Sequence, residues 1–512
     1  GIGLILNLKM HITSKLMKIK STLFILTLLL AFNLFAQQST EQWRPAIHFT
    51  PKINWTNDPN GLIYINGNYH LFYQHNPKGN EWGNMSWGHA KSNDLLHWEE
   101  LPVAIPHGKE FIFSGCVVYD KDHVSGLGDP TKPLLIAIYT ADYPNTLQEQ
   151  HLAYSNDEGL TWTKYDKNPI LSINLKDFRD PNIIWHAPSN QYVMTVVKPW
   201  EYTAQFYGSK DLIHWSLLSE FVQQGDIDMI WECPSLLELP VENSKETKWV
   251  LALSSQGPYK KTVGMQYFVG DFDGKTFKND APKEQVNYVD FGRDFYAAIP
   301  FYNTVDKETF WLGWMLSWSY GKEQPTFPWK GQMSLARTLS LVHTSQGLKL
   351  KQVFKPNFAS QKPSFEAKNL VIDGSKTLSG IKFLQNKTYM VELRVDASRA
   401  KQWGLEIGDE AKENPELTRI GFDEKSQDWF IDRRMSGVIP APGFDMIQSA
   451  PFVSGGDKVF QLVVDRSTLE LLAQDGTVAI SSLRFPKNKE SLKLVAQGGE
   501  IRVKELRIWE IK

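Results

Sequence analysis

The 512-residue chain contains only two cysteines, Cys116 and Cys233. Two are too few for a disulfide scaffold, so they are read as free, partly buried thiols. Cys233 directly follows Glu232 and is expected to line the same region. Neither sign of charge predominates: 55 Lys and Arg balance 57 Asp and Glu, a net charge of −2. No basic stripe stands out, which excludes nucleic acid as a natural partner. The 12 histidines are scattered, without HExxH or paired Cys/His spacing, so no metal site is expected. A glycine-rich phosphate loop is missing, and no cofactor is expected. GxSxG is missing too, which disfavours a serine hydrolase. Long helical periodicity and low-complexity segments are likewise absent.

The chain also lacks an apolar run of the roughly 20 residues that a membrane helix needs. Its one sustained run, Thr22 to Phe35, follows the basic Met17-Lys18-Ile19-Lys20 and ends at the small Ala36. This pattern predicts a cleavable export signal within residues 1–37, preceded by upstream extension. No cysteine sits at the cleavage point, so neither a lipoprotein anchor nor any stable membrane anchor is expected. The mature protein is expected to be periplasmic or secreted.

What remains is rich in short apolar strands broken by Gly, Asn, Asp and Pro, such as PLLIAIYT, QYVMTVV and KWVLALSS. They predict an all-β protein. A turn motif recurs among them. SNDLLHW begins at Ser92, SNDEGLTW at Ser155, SKDLIHW at Ser209, and a degraded DFDGKTF at Asp271, 54 to 63 residues apart. A period near 60 residues of pure β suits one propeller blade of four strands. Residues 41–345 therefore predict a five-bladed β-propeller. Residues 346–366 are polar and carry proline, as a linker would, and 367–512 alternate in the manner of a C-terminal β-sandwich.

Three acids occupy stiff settings in the propeller region: Asp58 in WTNDPNG, Asp180 in FRDPN and Glu232 in WECPS. Proline just downstream biases the backbone before it toward extended geometry, fixing the direction of each acid. They are read as lying in successive repeats, so a ring of blades would bring them to one mouth. Retaining cleavage of a glycosidic bond needs a charged carboxylate that attacks and a carboxylic acid that donates a proton. Asp58, beside the donor Asn57, suits the attacker. Glu232, between Trp231 and Pro234, has an apolar setting that suits the proton donor. Asp180, which Arg179 would hold ionised, suits hydroxyl binding and support of a cationic transition state. Singly, each acid has a plainer reading as a turn residue or a surface ion pair. An unpaired buried Glu232 is the hardest to explain plainly. The 18 tryptophans add flat apolar platforms of the kind sugar rings stack on.

These segments resemble glycoside hydrolase family 32, the β-fructofuranosidases. WTNDPNG, FRDPN and WECPS are similar to that family's three acid motifs, and FSGC, GRDFYAA, GWMLSW and DRSTLELLAQDG also match. The resemblance implies Asp58 as nucleophile, Glu232 as acid/base and Asp180 as transition-state stabiliser. It further implies Asn57, Gln74, Trp82, Phe113, Ser114, Arg179 and Trp318 as fructose contacts. Fructan or sucrose is the implied substrate, taken from the end of the chain. A fructosyltransferase, an inverting arabinan-acting propeller and a non-catalytic carbohydrate-binding protein are the alternatives. Thr56, Cys116 and Leu316-Ser317 depart from the family's usual residues and are expected to flank the pocket.

Overall fold

Leu135–Tyr143 reads LIAIYTADY, apolar on both faces. Alternate side chains of a strand point to opposite sides. Leu135, Ala137 and Tyr139 pack against blade 1, whereas Ile136 and Ile138 pack against blade 3. A strand sandwiched between two other sheets has no wet face, which is why the sequence shows runs instead of alternation. The computed structural model describes residues 41–512 apart from 260–261, 383, 385–387 and 410–412. The predicted export signal lies outside the described residues.

Five sheets, antiparallel except where Trp329–Lys330 joins the first in parallel, form the propeller, and their inner strands are Asn54–Ile65, Phe111–Tyr119, Arg179–His186, Glu232–Pro240 and Tyr296–Pro300. Apolar clusters fill every gap between neighbouring blades, including that between blades 5 and 1. Fully buried Trp87, Trp311 and Trp314 are among the largest side chains in these gaps. Truncating one to alanine costs about 3–5 kcal/mol. The ring closes where Tyr302 exchanges backbone hydrogen bonds of 3.0 Å with Leu62 and Tyr64.

The recurring turn joins the third and fourth strands of blades 1 to 4. In blade 1, Ser92 Oγ accepts from Leu95 N at 2.9 Å, and Asp94 Oδ1 accepts from Leu96 N and His97 N at 2.9 and 2.8 Å. Ser209 and Asp211 repeat these bonds in blade 3. The period is thus the blade. The acids do not fall in successive blades, however. Asp58 is in blade 1, Asp180 in blade 3 and Glu232 in blade 4, with blade 2 contributing Phe113 and Ser114 instead.

The stretch 346–366 is not a free connector. Gly347–Lys355 forms the outer strand of blade 5, with Leu350 and Phe354 buried, and the next sheet begins at Phe365. Its lysines occupy one face of a period-2 pattern, which made a strand look polar. The C-terminal sheet has ten strands. Its long last strand, Ser491–Glu510, pairs with Gln402–Asp409 over its first half and with Tyr389–Ser398 over its second. Shared in this way, it folds the sheet around a single apolar core.

Buried ion pairs fasten propeller to sandwich. His48 lies 3.0 Å from Asp465 and 2.7 Å from Glu470. Arg337 bridges Asp290 at 3.0 Å and Glu470, and Arg433 meets Asp294 at 2.6 Å. Asp290 and Asp294 belong to the segment that enters the inner strand of blade 5, so the sandwich holds the approach to Tyr296.

Candidate active site

All five inner strands begin at the same end of the ring, and each breaks register within its first residues. The pairing skips between Thr56 and Pro59, Ile112 and Gly115, Arg179 and Asn182, Glu232 and Ser235, and Tyr296 and Ile299. A bulge re-aims side chains that a regular strand would send into the blade gaps. Three skipped residues adopt left-handed backbone: Asp180 (φ 66°), Cys233 (φ 46°) and Ala297 (φ 55°). Each costs roughly 1–2 kcal/mol, a strain typical of functional sites.

The result is a cavity of about 530 Å³. Asn57, Asp58, Gln74, Trp82, Phe113, Ser114, Arg179, Asp180, Glu232 and Trp318 all line it. Asp58 is held from two sides: Asn57 Nδ2 donates to Oδ1 at 3.1 Å and Ser114 Oγ to Oδ2 at 2.7 Å. Asn57 is itself fixed by Trp55 Nε1 at 2.7 Å. Gln74 spends its amide hydrogens on Asn60 and the Ile112 carbonyl, at 2.8 and 3.0 Å, leaving its oxygen for a hydroxyl donor. Trp82 and Trp318 remain 41% and 38% exposed, so their rings form walls and not core. Trp318 stacks on Trp55 at 5.8 Å, and Trp82 meets Phe113 edge-on at 6.1 Å.

Cys233 sits between two of the acids. Its backbone N–H donates to Asp180 Oδ2 at 2.9 Å. Its thiol lies 3.3 Å from Asp58 Oδ2 and 3.5 Å from Asp180 Oδ2. Both cysteines are free and buried. Burial, with three carboxyls close by, pushes the Cys233 thiol far up, so it stays protonated and acts as a donor.

Burial and the charge of Glu232 both push the Asp58 carboxyl up, against the three hydrogen bonds it accepts. Asp180 rises to about 7, chiefly by burial; Arg179 opposes this, while Glu232 and Asp58 add to it. Carboxyls packed this closely do not all ionise together, and a proton held on one favours the charge on another.

Two expected partnerships differ. Arg179 makes no hydrogen bond to Asp180. Its Nε and Nη2 donate to Glu232 Oε1 at 3.1 and 3.0 Å, and its Nη1 donates to Asp177 at 3.0 Å and Gln148 at 3.2 Å. Adjacent side chains diverge, and the bulge turns Asp180 toward Cys233 instead. Nor is the setting of Glu232 apolar. Trp231 is turned into the gap between blades 3 and 4, while Glu232 faces Arg179 and, through Oε2, the hydroxyl of Tyr296. A phenol both donates and accepts, so this contact serves the ionised and the protonated acid alike.

Sequence reasoning missed Tyr296, Asp142 and Gln148. Tyr296 lies in GRDFYAA, a family-like segment that by itself assigns its tyrosine no role. Asp142, which accepts from Gln148 at 3.0 Å, sits at the end of an otherwise apolar strand. Thr56, Cys116, Leu316 and Ser317 do not line the cavity; all four are completely buried. Thr56 donates to the Gln74 carbonyl at 3.0 Å and so acts on the pocket only from behind.

Residues 48–353 match the N-terminal domain of glycosyl hydrolases family 32, and residues 358–510 match the C-terminal domain of the same family. The chain belongs to glycoside hydrolase family 32. This family 32 enzyme is 40% identical over 509 residues to a levanase of Bacillus subtilis, covering 96% of this chain and 74% of the relative. It is 37% identical over 491 residues to an extracellular exo-inulinase of Aspergillus niger, covering 88% and 90% of the two chains. The crystal structure of an exo-inulinase from Aspergillus awamori superposes with a TM-score of 0.85 at 34% identity, covering 92% of this chain and 98% of that one.

Proposed function

We propose that this family 32 enzyme is a retaining, exo-acting β-fructosidase that removes terminal β-D-fructofuranosyl residues from fructans and sucrose. The observation that carries the reading is the convergence of Asp58 and Glu232, from blades 1 and 4, on one cavity that Asp180 also lines. Relatives named levanase, exo-inulinase and invertase support the substrate class. The name of the extracellular exo-inulinase supports export, as does the apolar run of residues 22–35.

In the first step an oxygen of ionised Asp58 attacks the anomeric carbon. The bond to the leaving oxygen breaks as protonated Glu232 supplies its proton. A fructosyl ester on Asp58 and an ionised Glu232 remain. In the second step Glu232 takes a proton from water, the hydroxide oxygen bonds to the anomeric carbon, and Asp58 leaves as carboxylate. Free fructose and the starting protonation state are restored. Asp180, fixed by Cys233, binds sugar hydroxyls and supports positive charge on the ring. Asn57, Gln74 and Ser114 contact the fructosyl unit, with Trp82, Phe113 and Trp318 as apolar walls.

The test combines a variant with product stereochemistry. Glu232→Gln lowers kcat on sucrose, levan and inulin by about 10²–10⁴-fold while leaving the circular dichroism spectrum unchanged. Methanolysis by the wild type yields the β-fructoside. Near-normal turnover of the variant, or an inverted product, ends the assignment.

A further inference from the structure

Trp200 is 65% exposed, the most exposed tryptophan among the large apolar side chains left open to solvent. It lies in the turn Pro199–Glu201, between the second and third strands of blade 3. In an antiparallel blade this turn and the start of the inner strand share one end. Arg179 pairs with Val197, so Trp200 stands three residues beyond the partner of a cavity residue. One of those steps is strand and two lie in a 3-10 turn, so its backbone is roughly 7 Å along the chain from that partner.

The turn is built to hold its shape. Proline opens it, and Lys198 and Glu201 pair across it at 2.8 Å. Tyr202 closes it in left-handed backbone (φ 48°), an unfavourable conformation for an aromatic residue, with its ring against Trp231 at 6.2 Å. The Pro199 carbonyl accepts from Trp231 N at 3.2 Å, which ties the turn to the residue before Glu232. The exposed indole is thus mounted on a stiff support next to the strand that carries the proposed proton donor. The leaving group departs from the side of that donor.

Resting on the fructosidase reading, we infer that Trp200 is an outer sugar platform. It stacks against units of a long fructan beyond the one cleaved and raises specificity for polymer over disaccharide. A sugar ring offers an apolar C–H face to an indole, and a rigid aromatic loses little entropy on contact. Sucrose has one sugar unit beyond the cleaved bond, whereas a long fructan has many.

The experiment compares wild type, Trp200→Ala and Trp200→Phe on sucrose, levan and inulin. The alanine variant is expected to lose roughly three- to tenfold in kcat/KM on at least one polymer, mainly through KM, and to stay within about twofold on sucrose. Phenylalanine is expected to recover most of the loss. An unchanged polymer rate overturns the inference. So does an equal loss on sucrose, which would mean that the turn only supports Trp231. If the wild type cleaves no fructoside at all, the reading of the active site fails first and this inference falls with it.

Discussion

Arg179 and Glu232, 53 residues apart, meet through two hydrogen bonds from one guanidinium to a single carboxylate oxygen, at 3.1 and 3.0 Å. The fork fixes the rotation of Glu232 and leaves Oε2 to Tyr296 and the substrate. Lysine at 179 keeps the charge but cannot reproduce the fork. Arg179→Lys is therefore expected to lower kcat on sucrose by about 10²-fold, the scale of a misplaced catalytic group. Steady-state kinetics checks this, and a kcat within a factor of two of wild type would contradict it.

Asp180 predicts a pH-dependent stability. Its pKa rises from 3.8 to about 7 on folding, chiefly by burial. Between those values the folded state binds more protons than the unfolded, so this group's contribution to stability falls as pH rises. Asp180→Asn removes that term. The melting temperature of the variant relative to wild type is expected to increase from pH 4 to pH 8, in thermal scans across that range, while turnover is lost.

His48 predicts the same sign in a higher pH window. Burial lowers its pKa, but hydrogen bonds to Asp465 and Glu470 outweigh this and lift it from 6.5 to about 9. Its stabilisation is complete below pH 6.5 and is lost as pH passes through 9. His48→Ala leaves buried Asp465 without its cation and Glu470 with Arg337 alone, at a cost of about 3–5 kcal/mol. Urea unfolding at pH 6 and pH 9.5 checks both points, since the difference between variant and wild type is expected to shrink at the higher pH.

Much of this was legible in the chain, for identifiable reasons. The Ser and Asp of the repeated turn bond their own backbone locally, so spacing alone revealed the blades. Asp58 and Asp180 precede proline, and Glu232 lies two residues before one, which marked the heads of three inner strands. Tyr296 heads a fourth, but the skipped pair Ala297-Ala298 that follows it carries no such mark. The partner of Arg179 was hidden because nearness in sequence favoured Asp180, whereas the bulge sends the two side chains apart. Lys349–Lys355 passed for a linker because its polar face, and not its buried one, dominates its composition.

The central claim is that Asp58 and Glu232 act on one bond from opposite partners in a double displacement. With Glu232→Gln, β-fructosyl fluoride needs no proton donor to leave, but the base that activates water is gone. Mass spectrometry after an acid quench is expected to find the peptide containing Asp58 heavier by one fructosyl unit. Fluoride release with Asp58 unmodified, or the label on another residue, would contradict the account.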